Sequence, residues 1–233
     1  MIKHALVSAL VALWLMCSPL LGATPAAVEV PLASGGRALQ PVVIGPAATP
    51  RVKEAAEDLA DYLGRIAGAT FEVQTGDASS GIAVGVPGDF PSLPMEAVPA
   101  AEGIAAREAY VLRSHTAGLY VIGATELATE HAVWDLLHRL GFRQFFPGKT
   151  WEVVPHAPNL KIAVSAVERP DYLARRIWYG FGPWDYAAGP YAEWCTRNRA
   201  TSGTVINTGH SYDGILARNR EAFQAHPEYL ALV

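Results

Sequence analysis

The chain has 233 residues, with 18 Lys and Arg against 22 Asp and Glu, giving a formal net charge of −4. Hydrophobic residues make up 51% and charged residues only 17%, so a real core is within reach and the length fits one large or two small domains. The mild acidity, without a basic run or an interleaved basic and aromatic stripe, argues against a nucleic-acid partner.

The first residues stand apart. Lys3 and His4 precede an apolar run from Ala5 to Leu21, and Ala23 offers a small residue before Thr24. This is the pattern of a secretory signal over residues 1–23. The alternative is an uncleaved anchor, but Ser18 and Pro19 close the run. Cys17 follows Trp14, Leu15 and Met16, which are too bulky for a lipoprotein site. The expectation is an exported protein, periplasmic or secreted, with no stable membrane insertion after cleavage. Cys195 alone then remains, which leaves no disulfide within the chain and no thiolate zinc cluster; a small packed hydrophobe is its expected role. No cofactor and no metal are expected.

Val28–Leu32 and Pro41–Ile44 read as strands. Thr49-Pro50 opens a helix, Thr as N-cap and Pro at the first helical position, whose stripe is Val52, Ala55, Ala56, Leu59, Leu63 and Ile66; Gly68 ends it. Glu54, Glu57, Asp58 and Asp61 fall on its other side and read as a solvated face, with Asp61 one turn from Arg65. Phe71–Gln74 and Ile82–Val86 are the next strands. The glycines nearby lack the Lys-Ser/Thr and the helix of a phosphate loop. Residues 87–106, rich in Pro and Ala, read as a long surface loop. A hairpin follows, Ala109–Arg113 with Leu119–Ile122.

The stretch Gly118–Gly148 then runs strand, turn, helix, strand. Thr125 is its N-cap, Val133, Leu136, Leu137 and Leu140 its buried stripe, and Gly141 its left-handed stop, with Phe142 folding back. Trp151–Val154 and Leu160–Val164 complete the strands. Two helices against a mixed sheet predict a two-layer α/β domain over residues 24–166.

Ile122, Gly123, Thr129, Ala132, Val133, Trp134, Leu136, Leu137, Leu140, Gly141, Arg143, Phe145, Pro147 and Gly148 form a pattern that resembles the α/β domain preceding the barrel of bacterial α-glucuronidases and β-hexosaminidases. It is closest to a group of secreted bacterial proteins that share this domain. The resemblance implies a hexosaminidase domain 2-like sandwich that braces a (β/α)₈ barrel without catalysing. Glu168–Tyr172 reads as the joint. Beyond it, strands at Leu173–Tyr179, Gly203–Asn207 and Tyr229–Val233 alternate with helices at Gly189–Thr201 and Ile215–Ala225. Over residues 167–233 this reads as the start of a barrel, incomplete within this sequence.

Barrel enzymes bind substrate in the loops after their strands. The first such loop carries Trp178 and Trp184, whose faces suit sugar rings; a plug at the domain joint is the other reading. The second carries Asn207, His210 and Tyr212, with His210 placed to hydrogen-bond a sugar or move a proton. The later His226-Pro227-Glu228-Tyr229 resembles the same secreted group. A serine triad of His210, Ser211 and Asp213 lacks the nucleophile elbow, and His210 with His226 as metal ligands has no support. Arg176 or its neighbour Arg175 suits the carboxylate of a uronic acid, against a salt bridge to Glu168 or Asp171. No pair of catalytic carboxyls can be named. The expected partner is therefore a polysaccharide or oligosaccharide, and the expected role is that of a glycoside hydrolase-like protein; a non-catalytic carbohydrate-binding or surface protein is the alternative.

Overall fold

The structure is a computed structural model that describes residues 27–99, 102–177, 185–201 and 212–230. The signal sequence expected over residues 1–23 lies outside them, as do Trp178, Trp184, Asn207 and His210.

The domain is a two-layer α/β sandwich built on a six-stranded mixed sheet. Its strands are β3 (Val42–Ile44), β4 (Val73–Thr75), β5 (Gly81–Gly85), β6 (Tyr110–His115), β7 (Gly118–Gly123) and β11 (Ser165–Glu168), in the order β11-β6-β7-β5-β3-β4. The β7-β5-β3-β4 half is parallel, whereas β6 and β11 run antiparallel to their neighbours. A small sheet of β10 (Leu160–Ala163), β1 (Glu29–Ser34) and β2 (Arg37–Ala38) lies beside it, and β8 (Arg143–Gln144) pairs with β9 (Glu152–Val153).

Two helices cover one face of the large sheet. Helix α1 (Pro50–Ala67) starts where Thr49 Oγ1 accepts from the Val52 amide and stops at left-handed Gly68. Its six expected stripe residues are all buried. Helix α2 (Glu126–Arg139) is capped by Thr125, which accepts from the Ala128 amide at 3.2 Å. Gly141 takes φ 99°, and the Phe142 amide turns back to the Leu137 carbonyl at 3.0 Å. Phe142 is thereby buried against Tyr62 of α1, with ring centres 4.8 Å apart. Val42, Ile44, Ile82, Val84, Leu112, Leu119 and Val121 meet the helices in one core. The alternation of a half-covered strand puts Val43, Ala83 and Ile122 on the opposite face.

That opposite face corrects the reading of residues 87–106 as a surface loop. The described part folds into three 3-10 turns, Pro87–Asp89, Met95–Ala97 and Ile104–Glu108. Phe90 and Ala97 are buried, Phe90 packing on Val43, Ala83 and Ile122. The Asp89 carboxylate accepts from the Val86 amide at 3.0 Å, which pins the first turn. A Pro/Ala-rich composition hid a segment that roofs the sheet.

The solvated face of α1 holds for Glu54, Glu57 and Asp61, which are exposed, but not for Asp58. Burial pushes the Asp58 carboxyl up to about 6, Arg197 pulling it down and Glu54, Glu130 and Asp61 adding to the rise. A raised carboxyl favours the folded state in acid, and this contribution is lost as pH rises through about 6. Asp58→Asn should therefore stabilise the protein at pH 7 by roughly 1–2 kcal/mol and give no gain at pH 3.5, read by thermal denaturation at both values. An equal gain at both would remove charge as the cause.

After Glu168 the expected barrel strands are not seen among the described residues. Residues 173–177 carry no strand; Arg175 spends its hydrogen bonds on the Tyr172, Arg199 and Thr201 carbonyls rather than on a ladder. Pro227–Tyr229 is a 3-10 turn where a strand was expected to begin. The described residues hold three helices here, α3 (Asp185–Arg197), α4 (Tyr212–Arg218) and α5 (Arg220–Ala225). The last two were expected as one helix; they part at Asn219, and neither buries a residue. Ile215 is exposed.

Candidate functional site

Helix α2 carries two faces. One is the apolar stripe; the other sets His131, Asp135 and Arg139 four residues apart, one above the next. His131 and Asp135 are buried because residues 172–177 and 185–201 lie over them. We call these two stretches the strap. They are tied together where the Arg175 amide donates to the Thr201 carbonyl at 2.7 Å and Arg175 Nε donates to the Arg199 carbonyl at 3.0 Å.

The strap meets the domain through arginines. Arg175 pairs with Glu108, whose carboxylate is fully enclosed, and Glu108 lies 3.5 Å from His131 Nδ1. Arg199 pairs with Asp135 and donates to the Tyr110 hydroxyl at 3.1 Å, while Arg139 Nε donates to the other Asp135 oxygen at 2.9 Å. Arg197 donates to Glu152 at 2.7 Å; that carboxylate also accepts from Arg65 at 2.7 Å and from the Tyr62 hydroxyl at 2.9 Å. Trp194, the buried ring of α3, donates from its indole to the Gln144 carbonyl at 3.1 Å. Arg199 holds its place with a left-handed backbone, φ 54°, strained for a side-chain-bearing residue.

This surrounding keeps His131 uncharged. Burial, then the charges of Arg175, Arg199 and Arg51, press its imidazole down to about 3. Burial likewise lowers His138 to about 4, with Arg199 and Arg143 adding to the effect and Asp135 opposing it. The arrangement can hold a neutral imidazole and a carboxylate side by side, fixed by an arginine.

Two clefts flank this layer and share His131 and Arg175. The first, about 320 Å³, is polar and runs along Glu108, Tyr110, Glu168, Asp171 and Arg199. The second, about 550 Å³, opens between the first half of α2 and α3. Leu127 and Glu130 line one side, Tyr191, Cys195 and Thr196 the other, with Arg176 at its edge. A cleft of this size, with one aromatic ring, Tyr191, among charged groups from Arg51, Glu130, Arg175 and Arg176, suits a small polar ligand.

Of the sequence-derived candidates, Arg176 lines the wider cleft and is exposed. Arg175 is a joint residue, with Glu108 in place of the expected Glu168 or Asp171. Tyr212 opens α4, exposed, and lines neither cleft. Trp178, Trp184, Asn207 and His210 lie outside the described residues; the described chain before them, at Ile177 and Thr201, adjoins the wider cleft through Arg176 and Thr201 itself. Cys195 is half-buried on the cleft wall rather than in the core. Glu108, Glu130, His131, Asp135, Tyr191 and Arg199 were not singled out. The His131-Asp135-Arg139 spacing on α2 is the signal that could have found this face. Among the described residues no group of three His, Cys, Asp or Glu could hold a metal ion, and no helix is long and apolar enough to cross a membrane.

No protein-family model matches the chain, and no curated protein matches it. Among solved structures it is similar to a family GH115 4-O-methyl-α-glucuronidase with specificity for decorated arabinogalactans: 17% identity, TM-score 0.45, covering 73% of this chain and 25% of that one. It is also similar to the Streptomyces plicatus N-acetyl-β-hexosaminidase solved with Thio-NAglucal: 16% identity, TM-score 0.39, covering 66% and 28%. The chain spans about a quarter of the length of each.

Proposed function

We propose that this chain is the amino-terminal part of an exported, glycoside hydrolase-like protein acting in polysaccharide breakdown, with the α/β domain a non-catalytic brace. The observation that carries the reading is the strap, in which three arginines are each seated on an enclosed carboxylate of the domain. A domain that grips the following segment in this way fixes where its loops emerge. The ligand we assign to the wider cleft is a saccharide bearing a carboxylate. Arg176 presents a guanidinium with no ion pair or hydrogen bond among the described residues, and its fork matches a carboxylate. Tyr191 would offer an apolar face to the ring. Trp178, Trp184, Asn207 and His210 are the further contacts in this proposal.

A second reading has its own support. Glycoside hydrolysis takes two carboxyl groups across the bond, and among the described residues the wider cleft is lined by one, Glu130, held by Arg51 at 2.5 Å. The described residues thus suit binding, as in a non-catalytic carbohydrate-binding protein.

Titration calorimetry of the complete gene product, with a panel of uronic-acid and amino-sugar oligosaccharides, tests the proposal. Arg176→Ala, His210→Ala and Trp178→Ala should each weaken binding of the acidic saccharide about ten- to a hundredfold with the melting temperature unchanged. Binding of neutral amino sugars alone, or three variants that bind as wild type does, would refute it.

A further inference from the structure

The strap rests on the domain with little hydrocarbon contact. Among its described side chains Trp194 is the one buried hydrophobe. The other anchors are polar: the three arginine pairs, the Trp194 indole and the Asn198 amide, which donates to the Gln144 carbonyl at 3.2 Å. The acceptor side chains are far more enclosed than the donors, Glu108, Glu152 and Asp135 being 1%, 4% and 10% exposed against 26%, 12% and 31% for Arg175, Arg197 and Arg199. Such pairs hold while both charges exist; when one is removed, the other is left stranded away from water. Domain and strap therefore depend on the carboxylates remaining ionised.

We propose that residues 172–177 and 185–201 form an acid-released strap, latched to the α/β domain by Arg175–Glu108, Arg197–Glu152 and Arg199–Asp135, whose release removes one wall of the wider cleft. Protonation of the carboxylates frees the arginines into water, and the single ring of Trp194 does not keep α3 in place. The cleft is then a feature of neutral pH, whatever it binds, since Tyr191, Cys195 and Thr196 leave with the strap.

The groups around the latch agree on the direction. Burial alone would raise Glu152, but hydrogen bonds from Arg65 and Tyr62 and the charges of Arg65 and Arg197 outweigh it and leave the carboxyl lowered. A lowered carboxyl contributes stability above its unfolded value, about 4.3, and loses it as pH falls through the folded value. His131 on α2 is neutral when docked and titrates only near 3, so the unfolded chain takes its proton first and acid weakens docking there too. Asp58 on α1 has the opposite sign, and its protonation leaves the Arg197–Glu152 pair in place. Glu130 is tied to Arg51, Glu168 on β11 to Arg139, and Glu193 of the strap lies 3.5 Å from Arg197. His138 and Tyr110 face Arg199 with their neutral forms favoured by burial. Glu152 and His131 thus act in the same direction, and acid weakens the docking of the strap.

Hydrogen exchange of the whole chain, read peptide by peptide and corrected for the intrinsic pH dependence, tests this. At pH 7 the amides of α3 should be protected; on acidification to pH 3 their protection should fall at least tenfold while α1 and β5 keep theirs. The triple variant Glu108→Gln, Asp135→Asn, Glu152→Gln should show the same loss in α3 at pH 7. Protection in α3 that survives pH 3, or that vanishes only together with α1, would overturn the proposal; the wild-type pH series decides it even where the triple variant does not fold.

Discussion

Trp134→Ala should cost about 3–5 kcal/mol of stability. The ring is 1% exposed at the junction of both helices. It meets Tyr62 edge-on at 5.2 Å and Phe142 at 5.5 Å, and the Arg197 guanidinium lies 5.3 Å above it. Alanine leaves a cavity that three elements border, and none can close it without abandoning the sheet. The Trp134 indole nitrogen has no hydrogen-bond partner among the described residues. Trp134→Phe should consequently lose far less, because it removes that unpaired donor along with part of the ring. Chemical denaturation of both variants checks the pair of values. A phenylalanine variant as unstable as the alanine one would show that the indole nitrogen is satisfied.

Gly118→Ala should be comparably damaging, at about 3 kcal/mol. The residue pairs with Gly81 at the start of the β5–β7 ladder. An added Cβ would sit 2.0 Å from the Gly81 carbonyl oxygen. The obstacle is backbone, so no rotamer change relieves it, and β5 and β7 would have to separate at the centre of the sheet. At roughly 2–4 °C per kcal/mol for a chain of this size, the melting temperature should drop by roughly 6–12 °C. Gly88 is the control: nothing lies within 4 Å of its would-be Cβ. Gly88→Ala should stay within about 0.5 kcal/mol of wild type.

The elements that were legible in the sequence are those whose stabilisation is local. Thr49-Pro50 and Gly68, and Thr125 and Gly141, bracket helices whose caps and apolar spacing lie within one stretch of chain, and the structure places both helices there. The roof formed by residues 87–99 and 102–108 escaped because Phe90 and Ala97 are isolated apolar residues without a period. Strand β11 escaped because none of its residues is buried and it shows no alternation. The arginine latch was illegible for a different reason. Which carboxylate Arg175, Arg197 and Arg199 each select depends on how α3 docks, and the partners lie 67, 45 and 64 residues away. Of the site, Arg176 is legible from its neighbourhood in sequence, while the polar stripe of α2 beneath the strap shows itself only in the four-residue spacing of His131, Asp135 and Arg139.

The most direct test of the carbohydrate assignment is a crystal structure of the complete gene product soaked with a glucuronic-acid-bearing oligosaccharide. The account predicts the sugar in the cleft between α2 and α3, its carboxylate on the Arg176 guanidinium and its ring against Tyr191. Clear density for the saccharide elsewhere, with this cleft holding only water, would contradict it.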